Sequence, residues 1–181
     1  MAMKTWCAAG IRQSPLPIAA AIGLLLSGSY PIGATAAENA VPKVAFFGFQ
    51  LINTSLEPTT KSELHRIDML DELFRGRLAN SGRFKIVPIP ADLQQRIAAG
   101  PEISGCNGCE RDYAKSVGAN WAAWGTVQKV SNLILNINVS MEDAASGKLE
   151  FVKSVDIRGN TDESWRHGLD YMLRHYLLEE P

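Results

Sequence analysis

From Leu133 to Glu142 the side chains alternate almost residue by residue, with Leu133, Leu135, Ile137, Val139 and Met141 interleaved with Ile134, Asn136, Asn138, Ser140 and Glu142. Successive side chains of a strand point to opposite faces, so this pattern dictates a strand that is dry on one side and mostly wet on the other. Trp121 to Val130 reads as the strand before it, joined through the tight turn Val130-Ser-Asn-Leu133. Asp143-Ala-Ala-Ser-Gly147 reads as a hairpin turn, after which Leu149, Phe151, Val155 and Ile157 carry the alternation into a third strand. Three antiparallel strands with one oily side need something to cover that side.

The cover is legible in the rest of the chain. Thr60-Lys-Ser-Glu63 forms a capping box, and Leu64, Ile67, Leu70, Leu73, Phe74 and Leu78 recur on one face of the helix it opens. Asn80-Ser81-Gly82 ends that helix. Thr161 to Leu178 is amphipathic, with Trp165, Leu169, Met172, Leu173, Tyr176 and Leu177 as its apolar stripe. Val44-Ala-Phe-Phe-Gly-Phe49 has the composition of a central strand buried on both faces, followed by a loop from Asn53 to Thr60. Phe84 to Val87 is a short strand stopped by Pro88 and Pro90, and Ala91 to Ala98 a short helix. A further helix follows Cys106-Asn-Gly-Cys109, with Cys109, Tyr113 and Val117 along one side. The order β-α-β-α-α-β-β-β-α predicts an α/β (α+β) domain, three-layer-like, with a mixed sheet. Early strands run parallel, and a C-terminal antiparallel meander precedes the last helix.

Residues 1–36 carry the parts of a cleavable secretory signal: Lys4 and Arg12 without an acid, the apolar stretch Ile18 to Leu26, and small residues at Ala34-Thr35-Ala36. The apolar run is shorter than the ~18 residues a membrane span needs, and Cys7 precedes it, which excludes it as a lipid-bearing first residue of a mature chain. Removing 36 of the 181 residues leaves 145, from 37 to 181, which suits one domain. With Lys4 and Arg12 gone, 16 basic residues face 19 acidic ones, and the basic ones are scattered. Such a surface offers no field for a phosphate backbone, so nucleic acid is excluded as a partner. The expected location is the periplasm.

Val44 to Phe49, Gly118-Ala-Asn-Trp-Ala-Ala-Trp-Gly-Thr-Val127 and Asp143-Ala-Ala-Ser-Gly-Lys148 together resemble the TolB N-terminal and CsgG-like α/β domains of Gram-negative envelopes. Gln128-Lys-Val-Ser-Asn-Leu-Ile-Leu-Asn-Ile-Asn138 and Ser154-Val-Asp-Ile-Arg-Gly-Asn-Thr-Asp-Glu-Ser-Trp165 resemble an exported Gram-negative family of unknown function. That second likeness covers nearly the whole mature chain. The resemblance implies an envelope binding or accessory module with an envelope or periplasmic protein as partner, and an association with quinoprotein-using systems. It carries no catalytic residue, and fold likeness alone does not assign chemistry.

Cys106 and Cys109 are the cysteines left after processing, and in an oxidising compartment they are expected to join as a disulfide. The competing readings are a thiol-disulfide redox pair, favoured by a helix starting at Cys109, and a metal-binding protein. Asp156, Asn160, Asp162 and Glu163 put oxygen ligands into one turn suited to a hard cation, although capping of the last helix accounts for the same residues. His65, His167 and His175 lack an orienting neighbour and read as helix-surface residues. No serine stands in a nucleophile elbow and no glycine-rich phosphate loop is present, so a non-enzyme without cofactor is expected. The candidate partner surface is the wet meander strip of Gln128, Asn136 and Asn138 with Trp121 or Trp124 and the loop from Asn53 to Thr60.

Overall fold

The structure is a computed structural model and describes residues 41–179. The expected signal segment, residues 1–36, lies outside the described residues. The elements follow the expected order: β1 (Lys43–Asn53), α1 (Lys61–Asn80), β2 (Lys85–Ile86), α2 (Ala91–Ala99), α3 (Cys109–Ser116), β3 (Trp121–Lys129), β4 (Leu135–Asp143), β5 (Leu149–Ile157) and α4 (Asp162–Met172). A wider turn, Leu173–Leu177, continues α4. The five strands form one mixed sheet in the order β2-β1-β3-β4-β5. β1 is parallel to β2 and β3, and β3, β4 and β5 form the antiparallel meander. This is the α+β class the element order implies.

The alternation in β4 does what it dictates. Leu135, Ile137, Val139 and Met141 are completely buried under α1 and α4, whose Leu70, Phe74, Leu78, Trp165, Leu169 and Met172 close the core. Each such side chain taken from water contributes ~1.5–3 kcal/mol. The other sheet face is covered over β1 and β3 by α3, through small residues: Ala45, Ala114 and Ala122 pack together beneath Phe47 and Trp124. β4 and β5 have no such cover among the described residues. The capping box is present, with the Thr60 side chain accepting from the Glu63 amide and the Glu63 carboxylate from that of Thr60.

Several expected core positions lie elsewhere. Leu64 is exposed because Glu63 occupies the inward position of the first turn of α1. Leu133 is exposed because β4 begins at Leu135, and period two does not govern the turn before it. Leu149 is exposed because the register shifts between Met141 and Glu142, which breaks its parity with Phe151. Tyr176 is half exposed because the wide turn rotates the stripe so that Leu173 and Leu177 point inward instead. In α3 the buried side chains are Glu110 and Ala114, not Cys109, Tyr113 and Val117. β1 is interior, yet the middle strand of the five is β3.

β1 carries a bulge between Phe46 and Phe49, with Gly48 at φ +91° and the Phe49 amide donating to Asp71 Oδ1 at 2.7 Å. Burial raises the pKa of Asp71 above the ordinary range, and this hydrogen bond and Arg75 partly oppose it. The bulge seats the Phe49 ring flat on β3, where a Cβ on Gly125 would stand 2.2 Å from two ring carbons.

Candidate interaction surface

Four of the five side chains singled out from the sequence share the side of the sheet opposite α1 and α4. Register pairs Gln128 with Asn136, Thr126 with Asn138, and Trp124 with Ser140. Asn138 Nδ2 donates to Thr126 Oγ1 at 3.2 Å, and Asn136 Nδ2 donates to Ser154 Oγ and Asp156 Oδ1, both at 2.7 Å. The result is a flat polar strip whose amides are held in place by cross-strand partners. Trp124 is half-buried against the alanine cluster at one end of the strip. Trp121 lies on the opposite side, its ring 5.6 Å from that of Phe84 in the helix-covered core.

At the end where β1 and β3 finish, polar gives way to apolar. Ile52 is 36 % exposed, Val130 52 %, Ile134 61 %, Leu133 73 %, and Leu56 wholly exposed. Ile52 is in register with Gln128 and continues its side, and Val130 and Ile134 lie in the turn between β3 and β4. Leu56, Val130 and Leu133 line one depression with Ser55 and Asn132, while Leu133 and Ile134 border a second of about 730 Å³ beside Asp156 and Arg158. Single exposed leucines are ordinary, but four apolar side chains on two adjoining loops beside Ile52 of β1 make a candidate contact surface.

These loops are ordered by their own hydrogen bonds. Asn53 Nδ2 donates to the Glu57 carbonyl at 2.8 Å, and Asn53 Oδ1 accepts from the Ser55 amide at 3.0 Å. The Thr54 amide donates to the Lys129 carbonyl at 2.9 Å, and Asn132 Nδ2 donates to Glu57 Oε2. Beneath them sits a polar node in which Lys129, 1 % exposed, pairs with the fully buried Glu63 at 2.7 Å. Asn160 joins the parts. It donates to Glu63 Oε1 at 2.6 Å and Asn132 Oδ1 at 3.0 Å, and accepts from Arg66 at 3.0 Å and from Trp165 Nε1 at 3.1 Å. Burial alone would raise the pKa of Glu63, but the Lys129 ammonium and donors from Thr60 and Asn160 prevail and hold it at about 2. The node fastens both apolar loops to α1 and to the start of α4.

Sequence reasoning left this node unread, although the signal was present. Lys129 falls on the parity of Trp121, Ala123 and Val127, the dry side of β3, and Glu63 falls on the helical face of Leu70 and Phe74. A charge on each of two apolar faces implies that the two meet, because an unpaired buried charge is prohibitive.

The other sequence candidates are placed as follows. Asp156 accepts from Asn136, Asn160 is the hub just described, Asp162 binds Arg66 Nε at 2.7 Å, and Glu163 lies on the α4 surface 4.0 Å from His167. The three acids Asp156, Asp162 and Glu163 do not converge as a ligand set among the described residues. Thr161 caps α4 by accepting from the Ser164 amide. His65, His167 and His175 are exposed.

Cys106 and Cys109 are joined in a disulfide at the start of α3. Beside it Glu110 and Glu142 are both buried, and burial with the adjacent Glu110 carboxyl pushes the pKa of Glu142 up to about 7, against the pull of Arg111. A carboxyl whose folded pKa exceeds its unfolded one loses stabilisation as pH rises from about 4.5 to about 7, then no further. Glu142→Gln is therefore expected to raise the melting temperature at pH 8 by several degrees, roughly 1–3 kcal/mol, and to have little effect at pH 4.5. Equal shifts at both pH values in thermal melts of the oxidised protein are incompatible with this account.

Comparison with known proteins places the fold. The model of a family described as "Protein of unknown function (DUF2380)", DUF3280, matches residues 42–177. No curated protein matches the sequence. Among solved structures, the LpoB C-terminal domain from Salmonella enterica is 15 % identical with a TM-score of 0.50, covering 68 % of this chain and 87 % of that one. The lipoprotein GNA1162 from Neisseria meningitidis is also 15 % identical, with a TM-score of 0.48 over 73 % of this chain and 90 % of that one. TolB from Acinetobacter baumannii matches at 12 % identity and a TM-score of 0.43, over 73 % of this chain and 28 % of that one.

Proposed function

The chain belongs to the DUF3280 family of proteins of unknown function, and from that premise we propose that it is a non-catalytic binding module of the cell envelope. In this reading the signal segment is cleaved after residue 36 and the domain from 37 to 181 works in the periplasm. It recognises a protein partner through the apolar loops Leu56, Val130, Leu133 and Ile134 and the polar strip beside them. The observation that carries the reading is the exposure of these side chains on loops that are already ordered. A surface held in its bound conformation loses little entropy on association, and an apolar centre beside a polar strip is the usual anatomy of an interface. The fold shared with the LpoB C-terminal domain is consistent with a small module of this kind. No helix among the described residues is long and apolar enough to cross a membrane.

Leu56→Asp with Leu133→Asp tests the reading. Both side chains are exposed, so the double variant should melt within about 1 kcal/mol of the parent. Its partner, captured from envelope extract by the parent and identified by mass spectrometry, should bind ~30-fold more weakly or worse, the loss typical of truncating the centre of an interface. Lys148→Ala, on the hairpin turn, should bind as the parent does. Undiminished capture by the double variant would refute the proposal, as would turnover of a substrate by the purified protein.

A further inference from the structure

The disulfide and its two glutamates form a donor set that the interaction surface leaves unused. Cys106 Sγ, Cys109 Sγ and a carboxylate oxygen of Glu110 all lie within 4.8 Å of one another. Glu142, on β4, stands outside that 4.8 Å group and borders it through Arg111 of α3. Its Oε1 is shut off from solvent and accepts no hydrogen bond. The nearest cation, Arg111 Nε, is 3.7 Å from that oxygen. Glu110 Oε2 accepts from the Gly108 amide at 3.0 Å and lies 2.9 Å from Cys106 Sγ. In the disulfide that sulfur has no proton to share, so the second contact is not a hydrogen bond. Two buried carboxylates beside a sulfur pair, against which Arg111 sets a single positive charge at 3.7 Å, leave negative charge for a metal ion to neutralise.

We propose that the reduced chain binds a thiophilic divalent cation of the zinc and cadmium class through Cys106, Cys109, Glu110 and Glu142, and that the disulfide excludes it. The chemistry requires two thiolates and two carboxylates around a tetrahedral ion, with metal–sulfur bonds of about 2.3 Å and metal–oxygen bonds of about 2.0–2.2 Å. Such an ion holds its sulfurs roughly 3.8 Å apart, which side-chain rotation supplies with the Cα atoms where they stand, 5.6 Å from each other. Reduction takes two electrons and two protons from a partner dithiol. One partner thiolate attacks a sulfur of the pair, releasing the other cysteine as a thiol and forming a mixed disulfide, and the second partner thiol then displaces the remaining cysteine, leaving the partner oxidised. Binding of the divalent ion displaces both thiol protons to water. Reoxidation by the reverse exchange, in which a partner disulfide takes the two electrons and becomes a dithiol, removes both thiolates and expels the ion.

The test uses the purified protein reduced with a water-soluble phosphine, freed of it under inert gas, and titrated with cadmium or cobalt(II). One equivalent should produce the thiolate-to-metal charge-transfer band, with the visible bands of tetrahedral cobalt, and the oxidised protein should produce neither. Glu110→Gln and Glu142→Gln should each weaken binding at least tenfold, and Cys106→Ser should abolish the band. X-ray absorption of the zinc-loaded protein decides the case even if a variant fails to fold: two sulfur and two oxygen neighbours are expected. Absence of the band in the reduced protein, equal binding by the oxidised protein, unchanged affinity in folded glutamine variants, or a shell other than two sulfurs and two oxygens would each overturn the proposal.

Discussion

Lys129→Ala is expected to remove roughly 3–5 kcal/mol of stability, the loss seen when one partner of a buried ion pair is deleted. A domain of this size has about 5–15 kcal/mol in total, so the variant should sit near the edge of folding. The reason is what remains: Glu63, completely buried, would keep its charge without the ammonium 2.7 Å away. The pair itself need not be worth that much. Lys129→Met combined with Glu63→Gln removes both charges, and the double variant should recover most of the loss. Acid titration gives an independent check. Because the folded pKa of Glu63 is depressed to about 2, its contribution is complete above the unfolded value of about 4.5 and disappears as pH falls from there toward 2. In urea unfolding the parent should weaken over that acid range, and Lys129→Met should lose most of this weakening. A Lys129→Ala protein as stable as the parent would show the pair to be solvated.

Trp165→Ala should be comparably severe, at roughly 3–5 kcal/mol, the range for deleting a buried aromatic side chain. Trp165 is the largest wholly buried side chain in the core, and its Nε1 also donates to Asn160. Trp165→Phe separates the two contributions. It keeps most of the packing and withdraws one donor from an Asn160 oxygen that Arg66 still reaches, so it should cost about 1 kcal/mol plus a small packing term. Thermal melts giving equal losses for the two variants would mean that the indole N–H, not the ring, is what counts.

Much of this architecture could be read before any coordinates, for a physical reason. Period two in β4 and the stripes of α1 and α4 are direct records of which side is dry, and a capping box is a local device that needs no knowledge of the rest. Legibility ended where distant elements meet. The exposure of Leu133 and Leu149 depends on where a turn ends and where a register slips, and neither leaves a mark in periodicity. The node was visible only as two misplaced charges, Glu63 and Lys129, 66 residues apart in the chain. Of the candidate surface, Gln128, Asn136, Asn138 and Trp124 were readable from strand parity. The loop from Asn53 to Thr60 was readable as part of it, but the exposure of its Leu56, and of Val130 and Leu133 in the turn, was not, because an exposed loop residue looks the same in sequence as one tucked under its own turn. The disulfide followed from compartment chemistry, but the nearness of Glu142 required the fold to lay α3 over β3, where Arg111 reaches the end of β4.

The seat of Phe49 on the bare backbone of Gly125 reaches into the history of this chain as well as its packing. With only 2.2 Å available where a methyl would stand, drift at position 125 is blocked for as long as position 49 keeps its ring. Descent can enlarge one only by first shrinking the other. In related sequences these two sites, 76 positions apart, should therefore change as a couple, and an alignment in which they vary freely would describe a differently built sheet.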